Sequence, residues 1–577
     1  MIGQVFLISA VFLPLIVAAI ALVSSSTGSS STSSSNSSSS STSSSSTGSS
    51  SIDCMPICSL DRTLARQAWI ARLAWLGVGL ALVTAVYVLV YGPFIVSIKG
   101  TAGQPSVGLW ASPLTVTLLV LVCVVSAVVQ SFSVRYLQAD RASFRFFAAS
   151  NVLVSAMALV CTSLTIPVLV VAWVVAGLGF VAVVGYRSDY SGVKASIRRT
   201  LAMFVVGDSA LVAALVIIGW RVGNVDLAAT STLGADRVLL GNLSTVVALF
   251  VVIAALTRSA QGPFGRWLPG TVSAPTPVSA LLHAGVVNGG GILLIRLGVL
   301  TGDSALAMVV AFSVAGLTAT IAAGVMTRKP DVKGTLVFST MAQMGFMIAE
   351  CAVGAYLAAL VHLIGHAMYK ATLFFGSGSQ ITRIGQAPIP VSNPMPVLMR
   401  TLATGITTAV AVGAMVAIPG VLAHRGADIL LAFVASSATS AGWHWWKRCP
   451  RSNHLKLLWT SAIVIAGALY GLVLGGMASW IAPTLPTVGS QVLSPWWLLT
   501  IVGLGLVMAG LTRLPLVHDR LCAVLVEAGT PPLDSLMKEQ DWPSRRKHGT
   551  GSPVDPIFDY SVGPSFELVH SQETNAV

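Results

Sequence analysis

The chain has 577 residues, of which 54% are hydrophobic and only 9% are charged. A soluble protein of this size carries roughly 25% charged residues, so the composition excludes an ordinary soluble enzyme. The net charge of +13 could suggest nucleic-acid binding. The basic residues, however, gather in alternate short loops between apolar runs, which is the topology signal of a membrane protein, and we expect no nucleic-acid partner.

Apolar runs long enough to cross a bilayer recur along most of the chain. A span needs about 20 mostly apolar residues, and about fifteen segments qualify. They centre on residues 4–23, 70–92, 110–130, 146–163, 166–186, 200–220, 240–262, 276–300, 305–327, 336–352, 355–377, 397–418, 427–446, 457–481 and 495–515. The sequence therefore predicts an all-α polytopic membrane protein with about 14–15 transmembrane helices.

Composition also divides the chain into four parts. Residues 1–23 form the predicted first span, and 24–51 are a serine-rich, low-complexity linker that cannot bury apolar surface. The membrane domain follows at 66–515, and 516–577 form a polar tail. Because short basic loops stay on the cytoplasmic side, we expect a multi-pass protein of the cell inner membrane with its N-terminus outside and its tail in the cytoplasm.

Ionisable residues inside the predicted spans are few, and such residues at bilayer depth are costly enough to indicate function. The candidates among them are Asp208, Arg258, His283, Glu350, His362, His366 and Lys370. The last three stand at i, i+4 and i+8 in VHLIGHAMYKATLF, so they share one face of a helix.

Three interpretations of this set compete. Two histidines at i, i+4 can bind zinc, but no acidic residue or third ligand follows at short spacing. A lone histidine in a helix bundle more often forms a structural hydrogen bond to a neighbouring helix than takes part in transport. The whole set favours a proton relay, because histidine titrates near neutral pH. We predict that His283, His362, His366, Lys370 and Asp208 form the relay, with Arg258 and Glu350 setting the local potential.

Helix-breaking residues flank two of these groups. Gly262 and Pro263 follow Arg258, while Pro275 and Pro277 precede His283 in APTPVSALLHAGVVNGGGILLIRL. Proline removes a backbone donor, and interrupted helices are how transport proteins place polar sites near the midplane. We predict helix breaks at these four positions. The chain contains no credible nucleotide motif or metal-ligand set, so we expect no catalytic residue and no cofactor in it.

The segments around these residues resemble a known superfamily. RSAQGPFGRWLP, SAPTPVSALLHAG, KGTLVFSTMAQMGFM and HLIGHAMYKATLFFGSGS are similar to signatures of the antiporter-like proton-translocating subunits of respiratory complex I and of multisubunit cation/proton antiporters. With FRFFAASN and VVGDSAL, the resemblance covers a core of residues 130–380. It implies a fold with discontinuous helices and inverted repeats, in which the matching histidines and lysine lie along a central polar axis.

Departures from that pattern point to one branch. Val174, in AWVVAGLG, stands where respiratory subunits carry a glutamate, and Arg258 replaces the lysine of the broken helix. No lysine occurs in 401–446, where the second half of the family pattern has one. With these changes and the segment HAGVVNGGG, the sequence resembles the membrane subunit of DAB-type inorganic-carbon accumulation systems (DabB-like).

This resemblance implies a partner and a function. The partner is a large cytoplasmic subunit similar to a zinc β-carbonic anhydrase, so zinc is expected on the partner and not in this chain. Proton or sodium flow through the membrane subunit would drive conversion of CO2 to bicarbonate. The alternatives are a proton-translocating subunit of a respiratory NADH dehydrogenase or of a multisubunit cation/proton antiporter, and a non-conducting scaffold for a soluble enzyme.

Overall fold

A computed structural model describes residues 2–29, 57–99, 105–138, 140, 142–187, 191–223, 225–228, 240–272, 274–329, 331–377, 397–419, 421, 427–446, 453–486 and a few positions between 497 and 507. Within these ranges the helices are α1 Ile2–Ser29, α2 Ile57–Tyr91, α3 Pro113–Tyr136, α4 Ser143–Thr162, α5 Ile166–Val184, α6 Ser191–Arg221, α7 Leu243–Arg258, α8 Thr276–Ala284, α9 Gly289–Arg296, α10 Gly298–Thr301, α11 Ala305–Met326, α12 Val332–Ala352, α13 Tyr356–Gly376, α14 Val397–Val416, α15 Ala427–Trp446 and α16 Asn453–Ile481.

The predicted polytopic α-helical class is confirmed. Thirteen segments of the described chain are long and apolar enough to cross a membrane, and they coincide with thirteen of the predicted runs. Of the other two runs, 427–446 forms α15, and most of 495–515 lies outside the described residues. Helix α1 continues past the predicted end of the first span, through Ser29. The rest of the serine tract and the tail at 516–577 also lie outside the described part.

One small sheet interrupts the helices. Strands β1 (Phe94–Lys99) and β2 (Pro105–Ala111) form an antiparallel hairpin between α2 and α3. At its end, Ser112 caps α3 through a capping box with Thr115, which satisfies backbone donors that a helix start leaves free.

The surface and the interior of the bundle differ as the bilayer requires. Aliphatic side chains such as Val171 and Leu317 remain 63% and 62% exposed on the spans, where lipid would cover them. The largest fully buried side chains include Trp173 and Trp267, as expected of a helical core, and also Lys370. A fully buried lysine in an apolar bundle requires a local explanation, because burying a charge is costly without polar partners.

Two membrane segments are interrupted. Helix α7 ends at Arg258, and the chain continues through a 3-10 segment over Gly262–Trp267. The second interrupted segment begins as α8, passes through a 3-10 turn at Val286–Asn288, and continues as α9. The Ser259 hydroxyl donates to the Val287 carbonyl at 2.7 Å, so the two interruptions lie against each other.

Candidate functional site

The break after Arg258 is built from backbone conformations that a helix cannot contain. Ala260 and Gly262 have φ of 55° and 56°, in the left-handed region that residues other than glycine rarely adopt. The Trp267 indole donates to the Thr257 carbonyl at 3.1 Å, and the Gln261 amide donates to the Ser259 carbonyl at 2.7 Å. Side chains thereby satisfy carbonyls that the interrupted helix leaves free.

The guanidinium of Arg258 at this break has polar and aromatic partners. Its Nη2 donates to Asp208 Oδ1 at 2.9 Å and to the Trp173 carbonyl at 3.2 Å. The group lies over the rings of Trp173 and Phe204, 4.3 Å from each centroid. An ion pair combined with two cation–π contacts can hold an arginine in an apolar interior. We call Arg258, Asp208, Trp173 and Phe204 the arginine cluster.

Glycines make the room that the arginine cluster occupies. A Cβ on Gly177 would lie 3.0 Å from Arg258 Nη2, and one on Gly289 would lie 3.1 Å from Arg258 Cγ. A Cβ on Gly290 would lie 2.4 Å from the Ala255 carbonyl oxygen, which belongs to α7. The glycine run at 289–291 therefore lets α9 lie directly against the helix that carries the arginine.

The carboxylate of this cluster comes from α6 and not from α5. Val174 and Gly177 on α5, with Phe204 and Asp208 on α6, line a groove of about 440 Å³ on the side of the bundle. The Asp208 side chain remains 17% exposed there. The position at which the resemblance predicts a glutamate is therefore apolar, while the neighbouring helix supplies the acid.

A second cluster lies between α12 and α13. His366 and Lys370 are buried, with 4% and 1% exposure. The Lys370 ammonium donates to the Ser339 hydroxyl and, at 3.5 Å, to the Leu336 carbonyl. Within the described residues it has no carboxylate partner. Neutral oxygen acceptors therefore hold this lysine, which explains how it can be buried without an ion pair.

An acid on α12 lies near the other end of the α13 face that carries His362, His366 and Lys370. Glu350 Oε2 lies 2.9 Å from His362 Nδ1, although twelve positions separate the two residues in the sequence. The glutamate is 1% exposed and the histidine side chain 12%. The rings of His362 and His366 follow each other along the helix with centroids 6.4 Å apart. We call Glu350, His362, His366, Lys370 and Ser339 the histidine cluster.

His283 lies on α8, which packs against α13. Its ring is buried and stacks on Phe374, with centroids 4.5 Å apart and planes 9° from parallel. Of the four residues expected to face the interior, His283, His366 and Lys370 are buried and His362 is partly exposed.

The predicted relay set is divided in space. In the described part of the chain, Asp208 has no ion pair or hydrogen bond to any of the histidines or to Lys370. It pairs with Arg258 instead. Asp208 lies on α6, which packs against α7, so its part in a relay with the histidines stays a prediction.

The helix-breaking residues also act differently from one another. Gly262 and Pro263 lie in the interruption after α7. Pro275 is the N-cap of α8 and Pro277 lies in its first turn, where proline is tolerated because the N–H has no intrahelical partner. The interruption on that segment comes at Gly285 instead. The prediction that Pro275 and Pro277 break the helix was wrong, since they begin it.

Several side chains of the two clusters were not identified from the sequence. Ser339 is one serine among many in apolar runs, and its contact with Lys370 depends on how α12 packs on α13. Trp173 and Phe204 resemble ordinary core aromatics. A signal for them existed in the arginine at bilayer depth, which requires polar or aromatic neighbours.

Interrupted helices that surround buried charges are typical of membrane proteins that translocate ions.

Comparison with known families assigns the chain to that class. The model described as NADH:quinone oxidoreductase/Mrp antiporter, TM, matches residues 162–446. The model described as NADH-Ubiquinone oxidoreductase (complex I), chain 5 N-terminus, matches residues 100–147. Together they cover more than half of the chain, which belongs to the antiporter-like superfamily of complex I and Mrp membrane subunits.

Individual relatives include two inorganic carbon transporter subunits. The chain is 33% identical over 293 residues to the probable inorganic carbon transporter subunit DabB of Bacillus anthracis, covering 50% of this chain and 57% of that protein. It is 32% identical over 343 residues to the probable subunit DabB1 of Halothiobacillus neapolitanus, covering 57% and 61%. The matched region thus spans less than two thirds of either relative.

A solved structure supports the fold. The Mrp complex from Dietzia sp. DQ12-45-1b superimposes with a TM-score of 0.56 at 23% identity, over 83% of this chain and 58% of that one.

Proposed function

We propose that this protein is the proton-conducting membrane subunit of an inorganic-carbon accumulation complex. The observation that carries the proposal is the histidine cluster, a series of polar and titratable groups between two packed membrane helices. The similarity to DabB and DabB1 supports the choice of inorganic carbon as the transported substrate.

The proposed proton path follows the α12–α13 interface. With the basic loops in the cytoplasm, the short connection between α12 and α13 lies outside, so the Glu350–His362 pair is the outer end of the path. His366 lies in the middle and Lys370 with Ser339 toward the cytoplasm. Histidine can accept a proton on one ring nitrogen and release one from the other, and lysine can exchange its proton. His283 on α8 is a further titratable group beside Phe374.

The arginine cluster has a different role in this proposal. Arginine does not deprotonate in proteins, so Arg258 cannot pass a proton. We infer that its pair with Asp208 is a fixed element, which holds the interrupted helix against α5, α6 and α9. A path that lacks both the acid at 174 and a lysine at 258 would use an existing proton gradient without building one.

The chemistry of carbon conversion is assigned to another polypeptide. The partner would be a large cytoplasmic subunit similar to a zinc β-carbonic anhydrase, with the zinc ion bound in that subunit. This chain purified alone should show no CO2 hydration above background, and zinc-dependent hydration by the isolated chain would contradict the assignment.

A second candidate is a subunit of a respiratory NADH dehydrogenase or of a cation/proton antiporter. The descriptions of the two family models favour it. Val174 speaks against it, since this residue removes the acid that charge transfer on α5 would need.

The two candidates are separated by a growth experiment. The chain is co-expressed with the candidate partner in a host that lacks carbonic anhydrase, and growth at ambient CO2 is scored with and without an uncoupler. We expect uncoupler-sensitive growth for the native protein and no growth for His366→Ala. Val216→Leu is the control, because Val216 lies on the exposed side of α6, at 63% exposure, and belongs to neither cluster; this variant should grow normally.

Outcomes other than these have definite meanings. Growth that persists with an uncoupler would contradict proton coupling, and growth that requires sodium would change the coupling ion. Failure to grow while the purified protein exchanges sodium for protons would favour the antiporter candidate.

A further inference from the structure

One polar side chain on α12 has no place in the path described so far. Gln343 lies between Ser339 and Glu350 in the sequence, and all three fall on one face of the helix. At 3.6 residues per turn, their directions lie within about 40° of one another. Since Ser339 contacts Lys370 and Glu350 contacts His362, this face is the one directed at α13, and Gln343 shares it.

The level of Gln343 along the interface follows from the same geometry. Helices α12 and α13 are antiparallel neighbours, with Ser339 beside Lys370. Four residues along α12 lead from Ser339 to Gln343, a rise of about 6 Å. Four residues back along α13 lead from Lys370 to His366, again about 6 Å in the same direction. Gln343 is therefore level with His366.

Both side chains carry buried polar atoms without partners. Within the described residues, Nδ1 and Nε2 of His366 and Oε1 of Gln343 are buried and make no hydrogen bond. Leaving such atoms unpaired costs about 1–3 kcal/mol each, and buried polar groups are almost always satisfied by protein or by ordered water. An imidazole N–H is a donor and an amide oxygen an acceptor, so the two groups are complementary.

We infer that Gln343, through one ordered water molecule, is the hydrogen-bonding partner of His366. The water accepts from the imidazole N–H and donates to Gln343 Oε1. Its second proton remains available for a hydrogen bond to another group of the histidine cluster. Gln343 does not titrate; it is a positioning residue that fixes the water on which His366 depends. The inference deepens the proposed proton path and rests on it for its functional part.

The test measures hydration and conduction separately. Solid-state NMR of the full chain, with ¹⁵N-labelled histidine in lipid bilayers, detects magnetisation transfer from water to the ring nitrogens of His366. The His366 signal is identified by its loss in His366→Ala. Proton flux is recorded on the same samples in proteoliposomes under an imposed pH gradient.

The variants isolate the amide group. Gln343→Leu removes the acceptor while keeping a similar volume, and Gln343→Glu restores an acceptor oxygen. Met344→Leu is the matched control, because Met344 is the next residue on α12, is fully buried, and points about 100° away from Gln343 around the helix axis.

The expected result is that Gln343→Leu loses the water contact of His366 and that flux falls about tenfold or more. Gln343→Glu should recover the contact and part of the flux, and Met344→Leu should match the native protein. A water contact that survives in Gln343→Leu would overturn the inference, and lost contact with unchanged flux would overturn its functional part, because the water would then lie outside the proton path. If the native protein shows the Gln343-dependent contact but conducts no protons, the assignment of Gln343 to His366 stands and the proposed function fails.

Discussion

The arginine cluster and the histidine cluster solve the problem of burying charge in opposite ways. In the first, Arg258 has an ion pair, a carbonyl and two aromatic rings around it, and its charge is permanent. In the second, Lys370 has only neutral oxygen acceptors, and both nitrogens of His366 have no protein partner in the described chain. A permanent charge held by an ion pair and aromatic rings is suited to holding a helix break in place, whereas a series of titratable groups with unused hydrogen-bonding positions is suited to exchanging protons.

The largest effect should come from removing the acid of the arginine cluster. Asp208→Leu leaves a buried guanidinium without its counter-charge, which typically costs about 3–5 kcal/mol. We expect a large loss of thermal stability in detergent micelles. Asp208→Asn should lose less, because its amide oxygen can still accept from Arg258. Equal and small losses for both variants would mean that the pair contributes little, and the contrast between the clusters would disappear.

A smaller effect is expected where α9 packs on α7. Gly290→Ala places a Cβ 2.4 Å from the Ala255 carbonyl oxygen, so the backbones must separate, at a cost of about 1–3 kcal/mol. Gly219→Ala on α6 is the control, since no atom lies within 4 Å of its added Cβ; there alanine should be neutral or stabilising. The two melting temperatures should move apart. If Gly290→Ala is also neutral, close packing at the break is not required.

Sequence reasoning identified the parts of these clusters better than their arrangement. The i, i+4 and i+8 spacing placed His362, His366 and Lys370 on one face, because helical geometry is local. The partner of each group depends on helix packing, which no spacing encodes. Glu350 reaches His362 only because a short connection turns α13 back along α12. Asp208 and His283 were grouped by their shared rarity in apolar runs, yet Asp208 belongs to the arginine cluster and His283 stacks on Phe374 of α13.

The prolines and glycines show the same limit. Pro263 lies in a break and Pro277 begins a helix, and their local sequences do not distinguish the two cases. The glycine run at 289–291 signalled close packing, but the identity of what packs there, the carbonyl of Ala255 and the stem of Arg258, required the fold.

The most direct test of the contrast exchanges the two kinds of cation at each site and measures proton flux in proteoliposomes. Lys370→Arg keeps the charge but loses the exchangeable proton, so flux should fall about tenfold or more. Arg258→Lys keeps the pair with Asp208, and flux should stay within about twofold of the native protein, since no proton passes through that site. Full flux in Lys370→Arg together with lost flux in Arg258→Lys would contradict the account, because it would place conduction at the arginine cluster.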